Sequence, residues 1–402
     1  MPRDIDITNF KVKYRERNEG DFPDEMLINL RKLWNLRYGE NPGQQGVMYL
    51  VNGINAKILS DVLDLKSVRT DSLGKGGLSL TNMMDITRAI DVLKYFDVPA
   101  WAIMKHVLLS GFAKQTKDSQ STTDLFRLAR DSDLLSNFGG VAVTNRVLTM
   151  DNAKALYELR GEDLFFVDVV AAPGYEEGVI DYIQSQSKTI RIAQFSGMER
   201  LPKFQGDDTL GLFSIKEMPG GIVGVQDIYL TSVKTKDDLI VKPYLVKDSV
   251  KLQVEREPTE QEKDDLLTSW WINISGARSN GIVGVRRGVS IAMGSGQVSR
   301  VDAVTYAIIK GMQKAMQKEG IRFDALHGVS GYDRLKDNPF EGSAFSSDGF
   351  FPFGDSLELL AKVGCRAVIE PFGSVRDDNV IDTANKLGIA LVATGERAFG
   401  HW

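Results

Sequence analysis

Lysine and histidine stand side by side at Lys105-His106, directly after the apolar run Ala100-Trp-Ala-Ile-Met104. A buried strand ending there would deliver both side chains together. An imidazole titrates near neutrality, and a partly buried ammonium beside it can be tuned toward the same range, so the pair suits proton transfer. A strand that merely ends in water with two polar residues reads the same way. The chain has only three histidines. Of the others, His327 has no partner in sequence and reads as structural or incidental.

Three further segments have chemistry-bearing composition. Gly294-Ser-Gly-Gln-Val-Ser-Arg300 leads into a helical pattern running from Val301 toward Lys318. Exposed backbone N–H groups at a helix start favour an anion, and Arg300 adds charge. No Gly-Lys-Ser/Thr follows the glycines, so this is not a P-loop, and a plain glycine-serine joint fits equally. Arg37-Tyr38-Gly-Glu-Asn-Pro42 puts a guanidinium and a phenol in a turn-rich stretch, suited to phosphate and to a flat ring. Ser346-Ser-Asp-Gly-Phe-Phe-Pro-Phe-Gly-Asp355 gathers three phenylalanines in one loop, which must pack or hold a flat ligand. Zinc deaminase chemistry is excluded, because it needs a Pro-Cys-x-x-Cys pair and Cys365 is the only cysteine. Cys365 reads as a small core residue at a helix-to-strand junction.

The elements that must position these residues alternate between short apolar runs and helix-like segments, the signature of an α/β protein. In the first half, Asp85 is read as the cap of a helix leading into the strand that ends at His106. Ser121 to Arg130 reads as a helix and Val141-Ala-Val143 as a short strand after Gly139-Gly140. Asp151 caps the next helix, and Leu164 to Val170 is a buried strand. A helix then begins near Tyr175, followed by a strand at Thr189 to Ile192. In the second half, Gly281 to Val285 and Val289 to Met293 flank Arg286-Arg287-Gly288 as two strands around a tight turn. Ser299 is the N-cap of the long helix. Asp355 caps a helix ended by Gly364, Ala367 to Glu370 follows as a strand, and Gly388 separates the last helix from the last strand. Polar stretches at Lys203 to Asp208 and Lys234 to Glu262 read as connections. The boundaries drawn are 1–205, with an N-terminal arm, and 206–402, with a short helical insert near 301–345. Similarity between the halves is too weak to establish a repeat from the residues alone.

At 402 residues, with 43% hydrophobic and 26% charged residues, the chain has the make-up of a soluble globular protein of two or three domains. A net charge of −5 leaves no electrostatic footprint for nucleic acid. One cysteine allows no intrachain disulfide and suits the reducing cytoplasm. No basic-flanked apolar segment opens the chain, and no uncharged stretch approaches the ~20 residues that span a bilayer.

Nine blocks, in order, resemble the formyltransferase domain of the bifunctional purine-biosynthesis enzymes, AICAR transformylase. They run from Leu36-Arg-Tyr-Gly-Glu-Asn-Pro42 through Lys105-His106, Ser136-Asn-Phe-Gly139, Asp168 to Tyr175, Ser279-Asn280 and Gly296 to Arg300. The last three are Ser347 to Asp355, Gly373-Ser-Val-Arg-Asp-Asp378 and Arg397-Ala-Phe-Gly-His401. The resemblance spans nearly the whole chain. It implies two tandem three-layer α/β/α subdomains resembling the cytidine deaminase fold, in a homodimer with active sites at the subunit interface. It further implies formyl transfer from 10-formyltetrahydrofolate to the 5-amino group of 5-aminoimidazole-4-carboxamide ribonucleotide (AICAR). His106 would be general base, Lys105 would stabilise the oxyanion or protonate the leaving nitrogen, and Asn280 would hydrogen-bond near the reacting centre. Arg37, Tyr38, Gly139, Asp168, Arg300, Phe350 and Arg397 match nucleotide contacts. Val301, Pro352, Asp355, Ser374, Val375 and His401 match the folate side. No catalytic metal is implied, and there is room for a structural monovalent cation.

The family's ring-closing cyclohydrolase lies in a separate N-terminal domain. No room for it precedes Arg37, so a separate cyclohydrolase partner is expected. The chain departs from the family at Val107-Leu-Leu-Ser-Gly111, where a polar, proline-containing turn is usual, and at Gly43 and Gly400, where histidines are usual. Two other readings therefore stay open: a formyltransferase acting on a related aminoimidazole ribonucleotide, and a silent nucleotide- or folate-binding homologue.

Overall fold

A computed structural model describes residues 4–13, 25–38, 44–52, 64–68, 77–160, 163–209, 211–321 and 335–401. Gly43, His327 and the rest of the segment after Tyr38 up to Gly43 lie outside the described residues. The chain divides into two compact units, 19–230 and 1–18 joined with 231–402. The division falls after Leu230 rather than near 205, and the N-terminal arm belongs to the second unit.

In the unit 19–230, the strands run in the spatial order Asp64–Ser67, Arg191–Ser196, Val167–Ala172, Gly140–Thr144, Ala100–Lys105, Leu108–Lys114. Gly140–Thr144, Val167–Ala172 and Arg191–Ser196 are parallel, and Ala100–Lys105 is antiparallel to both its neighbours. Residues 100–104 are wholly buried, as a continuous apolar run requires of a strand covered on both faces. Helix Leu80–Leu93 packs on the strands around Ala100–Lys105. Helices Thr122–Asp131, Met150–Ala155 and Val179–Gln186 pack one against the next.

The other unit repeats this plan. Its strands are ordered Ala390–Ala393, Ala367–Glu370, Ala344–Ser347, Ile282–Arg286, Val289–Gly294. The first three are parallel, Ile282–Arg286 is antiparallel to Ala344–Ser347, and Val289–Gly294 pairs antiparallel with Ile282–Arg286. Helix Glu260–Gly276 precedes the hairpin, as Leu80–Leu93 precedes the other. Helices Arg300–Lys318, Asp355–Val363 and Asp377–Leu387 complete the set. Asp4–Asp6 pairs in parallel with Lys242–Lys247, which pairs with Val250–Gln253, so the polar stretch after Lys234 contains strands as well as connection.

Several boundaries differ from the sequence reading for local reasons. Helix Leu80–Leu93 is capped by Ser79 in a capping box with Asn82, leaving Asp85 in the helix interior. Thr149, not Asp151, caps Met150–Ala155. The segment after Pro173 enters its helix only at Val179, because the Tyr175 hydroxyl is drawn into the interior and donates to the Ala193 carbonyl at 2.6 Å. Burial pushes that phenol's pKa upward. Arg300–Lys318 is integral to its unit, since Gly294 lies so close that a Cβ there would meet the Ala303 carbonyl oxygen at 1.9 Å.

Candidate active site

Lys105 is the last residue of its strand, and Leu108, which pairs with it, is the first of the next. His106 and Val107 therefore make a two-residue hairpin turn, with φ of 55° and 65°. Both are left-handed, as in a type I′ turn. Histidine tolerates this, whereas a β-branched valine does so rarely. The imidazole is exposed and Lys105 is half-buried. Lys105 Nζ donates to the Phe138 carbonyl at 2.7 Å, and the next residue, Gly139, has φ 70° and donates to the Phe166 carbonyl.

Beneath the turn lies Asp85, 4% exposed, whose Oδ1 accepts the Val107 N–H at 2.6 Å. Burial pushes its carboxyl up to about 6, with Asp168 adding to the rise and the Val107 N–H and His106 opposing it. Asp168 accepts from Arg191 Nη1 at 2.7 Å and from Asn82 Nδ2 at 3.3 Å, while Arg191 Nε donates to the Gly77 carbonyl. Arg37 and Tyr38 join the same region through the backbone. Arg37 N donates to Leu78 O, and Tyr38 O accepts from Leu80 N at the head of the helix carrying Asn82 and Asp85. The Arg37 guanidinium lies 4.8 Å from the centre of the Tyr38 ring. A cavity of about 350 Å³ beside them is lined by Asn35 to Arg37 and Gln44 to Val47. This unit thus brings Lys105, His106, Gly139 and Asp168 to one end of the strands, with Arg37 and Tyr38 at the head of the adjoining helix.

The second unit gathers a different set. Arg300, 8% exposed, is ion-paired with Asp348 and also donates to the Gly281 carbonyl. Ser279 Oγ donates to the second Asp348 oxygen and accepts from Gly400 N–H. Asn280 follows a cis Ser279–Asn280 peptide, and its Nδ2 donates to the Gln297 carbonyl at 2.9 Å. Ala398 N–H donates to the Asp348 carbonyl, so the C-terminal segment is tied to this cluster. The Arg397 guanidinium stacks on Phe399 and Phe399 meets His401 edge-on. Gly349 packs closely between Arg300 and Phe399, where a Cβ would come within 2.6 Å of Arg300 Nη2 and of the Phe399 ring.

The phenylalanine loop is divided. Phe351 is core, Phe350 half-buried and Phe353 51% exposed, with Arg376 over its ring. Asp355 is the first residue of its helix, not the cap, which is Gly354. Ser374 and Val375 form the turn before Asp377–Leu387, where Asp377 accepts from Gly373 and Ser374 N–H. Val301 lies in the first turn of Arg300–Lys318, and Pro352 is half-buried.

Sequence reasoning missed Asp85 as a turn clamp, Arg191 and Asn82 as holders of Asp168, and Asp348 as the counter-charge of Arg300. An arginine inside the apolar run Ile190-Arg-Ile-Ala193 was the one available signal. Among the described residues, no group of three or more His, Cys, Asp or Glu is placed to hold a metal ion. No described helix is long and apolar enough to cross a membrane.

Two α/β units of one topology, with a lysine–histidine turn in the first, define a duplicated α/β protein with a candidate proton-transfer site. A family model described as the AICARFT/IMPCHase bienzyme matches residues 4–310, and the chain belongs to that family. It is 33% identical over 386 residues to the bifunctional purine biosynthesis protein PurH of Magnetococcus marinus, covering 96% of this chain and 63% of that one. For the same-named proteins of Persephonella marina and Acetivibrio thermocellus, the identities are 32% and 31%. The match covers 94% and 95% of this chain, and 62% of each relative. The chain therefore spans somewhat less than two thirds of these relatives.

Proposed function

We propose that the chain transfers a formyl group from 10-formyltetrahydrofolate to the 5-amino group of AICAR. The observation that carries this reading is the Lys105-His106 turn, held at the strand ends beside Asp168 in a chain of this family. The substrate amine is a poor nucleophile, because its lone pair is delocalised into the ring and carboxamide. His106 takes its proton as the nitrogen attacks the formyl carbon. The bond from that carbon to folate N10 then breaks, and the proton passes to N10. Lys105 stabilises the tetrahedral oxyanion or protonates N10, and Asn280 hydrogen-bonds near the reacting centre.

Arg37, Tyr38, Gly139, Asp168, Arg300, Phe350 and Arg397 serve the nucleotide. Val301, Pro352, Asp355, Ser374, Val375 and His401 serve the folate. The roles of the second unit's residues rest on the resemblance alone, as do the homodimer with sites at its interface, the cytidine-deaminase-like layering, a structural monovalent cation and a cytoplasmic setting.

Val107 to Gly111 supports retained chemistry. It forms a left-handed turn and a strand bulged at Ser110, with Leu109 buried and Gly111 packed where a Cβ would meet the Ala129 carbonyl oxygen at 2.3 Å. The test is a spectrophotometric assay with 10-formyltetrahydrofolate and AICAR, following tetrahydrofolate release and identifying the nucleotide product. Formyl-AICAR is the expected product, and its further closure to the cyclic nucleotide would assign both family activities to this chain. Tight AICAR binding with no turnover would overturn the proposal in favour of a silent binding homologue. His106→Ala and Lys105→Ala are each expected to lose about 10²-fold or more in turnover while remaining folded. Near-normal turnover in either removes that residue from the mechanism.

A further inference from the structure

The turn that displays His106 is not self-supporting. Its second residue is a β-branched valine at φ 65°, where glycine or asparagine is usual, and no side chain of the turn itself holds that conformation. What meets the turn is the carboxylate of Asp85, reaching from inside helix Leu80–Leu93 to the Val107 N–H at 2.6 Å.

The second unit contains the same device at the equivalent place. Asp265 lies six residues beyond the N-cap Thr259, as Asp85 lies six beyond Ser79. Its two carboxylate oxygens accept the N–H groups of Arg287 and Gly288, each at 2.8 Å. Those residues form the two-residue turn between Arg286 and Val289, with φ of 51° and 74°. A helix aspartate under a left-handed hairpin turn therefore recurs in two units whose residues are otherwise dissimilar. In the second unit the turn has a glycine and two hydrogen bonds. In the first it has a valine and one, so Asp85 contributes relatively more.

We propose that Asp85 is the positioning residue of the candidate active site, holding the His106-Val107 turn left-handed through the Val107 N–H so that the imidazole and Lys105 point to the reacting groups. This rests on the formyl-transfer reading for its catalytic consequence, though not for the clamp itself. Burial works against the role, because the charged form of Asp85 is disfavoured. Its carboxyl is raised to about 6 by burial and by Asp168 on strand Val167–Ala172, with His106 and the Val107 N–H opposing. Asp168 is itself held by Arg191 and Asn82. The folded chain thus binds the Asp85 proton more tightly than the unfolded chain does. Stability from this group is highest at acid pH and falls as pH rises from the ordinary aspartate range through about 6. An aspartate kept there against its own desolvation is one whose acceptor is in use.

The experiment compares wild type, Asp85→Asn and Asp85→Ala in the full chain. It reads hydrogen exchange at the Val107 amide, thermal unfolding at pH 5 and pH 8, and kcat and KM separately. Asp85→Ala is expected to lose Val107 protection by at least about tenfold, and kcat by about 10²-fold with KM little changed, as displacement of a catalytic group does. Asparagine retains an acceptor oxygen and no charge. Asp85→Asn should therefore restore protection and most of kcat, and unfold at a higher temperature than wild type at pH 8, with the difference narrowing at pH 5. A merely structural aspartate would instead lower the unfolding temperature in both variants.

Unchanged protection in Asp85→Ala overturns the clamp. Lost protection with full kcat overturns the positioning role. Should Asp85→Ala fail to fold, Asp85→Asn decides, since lost protection there would place the role in the charge and overturn the hydrogen-bond clamp. Wild type without turnover sinks the formyl-transfer reading instead, while the exchange measurement still decides the clamp.

Discussion

Glu370 ends its strand with a wholly buried carboxyl group. Oε2 accepts the Phe351 N–H at 2.6 Å, and Oε1 meets no protein partner among the described residues. Burial, reinforced by nearby Asp377, raises its pKa well above the usual glutamate range. Folding therefore takes up a proton here, and stability from this group declines as pH rises above that range. Glu370→Gln retains the acceptor and removes the titration. It should match or exceed wild type in thermal unfolding at pH 8, whereas Glu370→Ala, which orphans the Phe351 N–H, should lose about 1–3 kcal/mol. A Gln variant as unstable as the Ala variant would show that the charge itself is needed. The Arg300–Asp348 pair follows the opposite logic, because both side chains are buried and ionic. Asp348→Ala leaves a buried guanidinium uncompensated and should cost about 3–5 kcal/mol in urea unfolding. Replacing both residues by apolar ones should recover much of that loss, and strict additivity of the two changes would deny the coupling.

Capping side chains set where several of the helices begin, and this explains which elements were legible in the sequence. Ser299 was read correctly as a cap, and the helix read from Ser121 was placed to within a residue, Ser121 being its cap, because each is followed by a strong helical pattern and preceded by turn residues. Asp85 and Asp151 were misread because a carboxylate just inside a helix looks like one just before it. The deciding signal, a Ser or Thr with Asn three residues on, was present at Ser79/Asn82 and Thr149/Asn152. Thr149→Ala should therefore destabilise the unit by about 1 kcal/mol, while Asp151→Ala, at an exposed position paired with Lys154 at 3.8 Å, should change it by a few tenths. Equal effects in chemical denaturation would contradict the cap assignment. Lys105-His106 was legible because a buried strand ends there. The Asp168–Arg191 pair and the Asp85 clamp were not, because their partners lie about twenty residues apart and meet only when strands and helix pack. The duplication was hidden for the same reason, since topology and turn clamps repeat while side chains do not.

At the scale of the whole molecule, the chain leaves one unit and later returns to it. The N-terminal arm, read from the sequence as part of the first subdomain, pairs its strand Asp4–Asp6 in parallel with Lys242–Lys247. Ile7 and Phe10 are 2% and 5% exposed within the core of the unit formed largely by residues 231–402. Gly395 lies against the Phe10 ring, where a Cβ would approach to 3.1 Å. Nothing in the arm's composition announces this, because a three-residue strand has too few positions to show a period. The consequence is thermodynamic. Phe10→Ala leaves a cavity in that core and should cost about 3–5 kcal/mol. The loss should register as faster hydrogen exchange in the strands Ile282–Arg286, Ala344–Ser347 and Ala367–Glu370. Exchange in Ala100–Lys105 and Val167–Ala172 should respond less, since Ile7 and Phe10 belong to the core cluster of the unit formed largely by residues 231–402. Equal acceleration in both sets of strands would mean that the chain unfolds as a single cooperative body. Acceleration confined to the first unit would place the arm where the sequence reading had it.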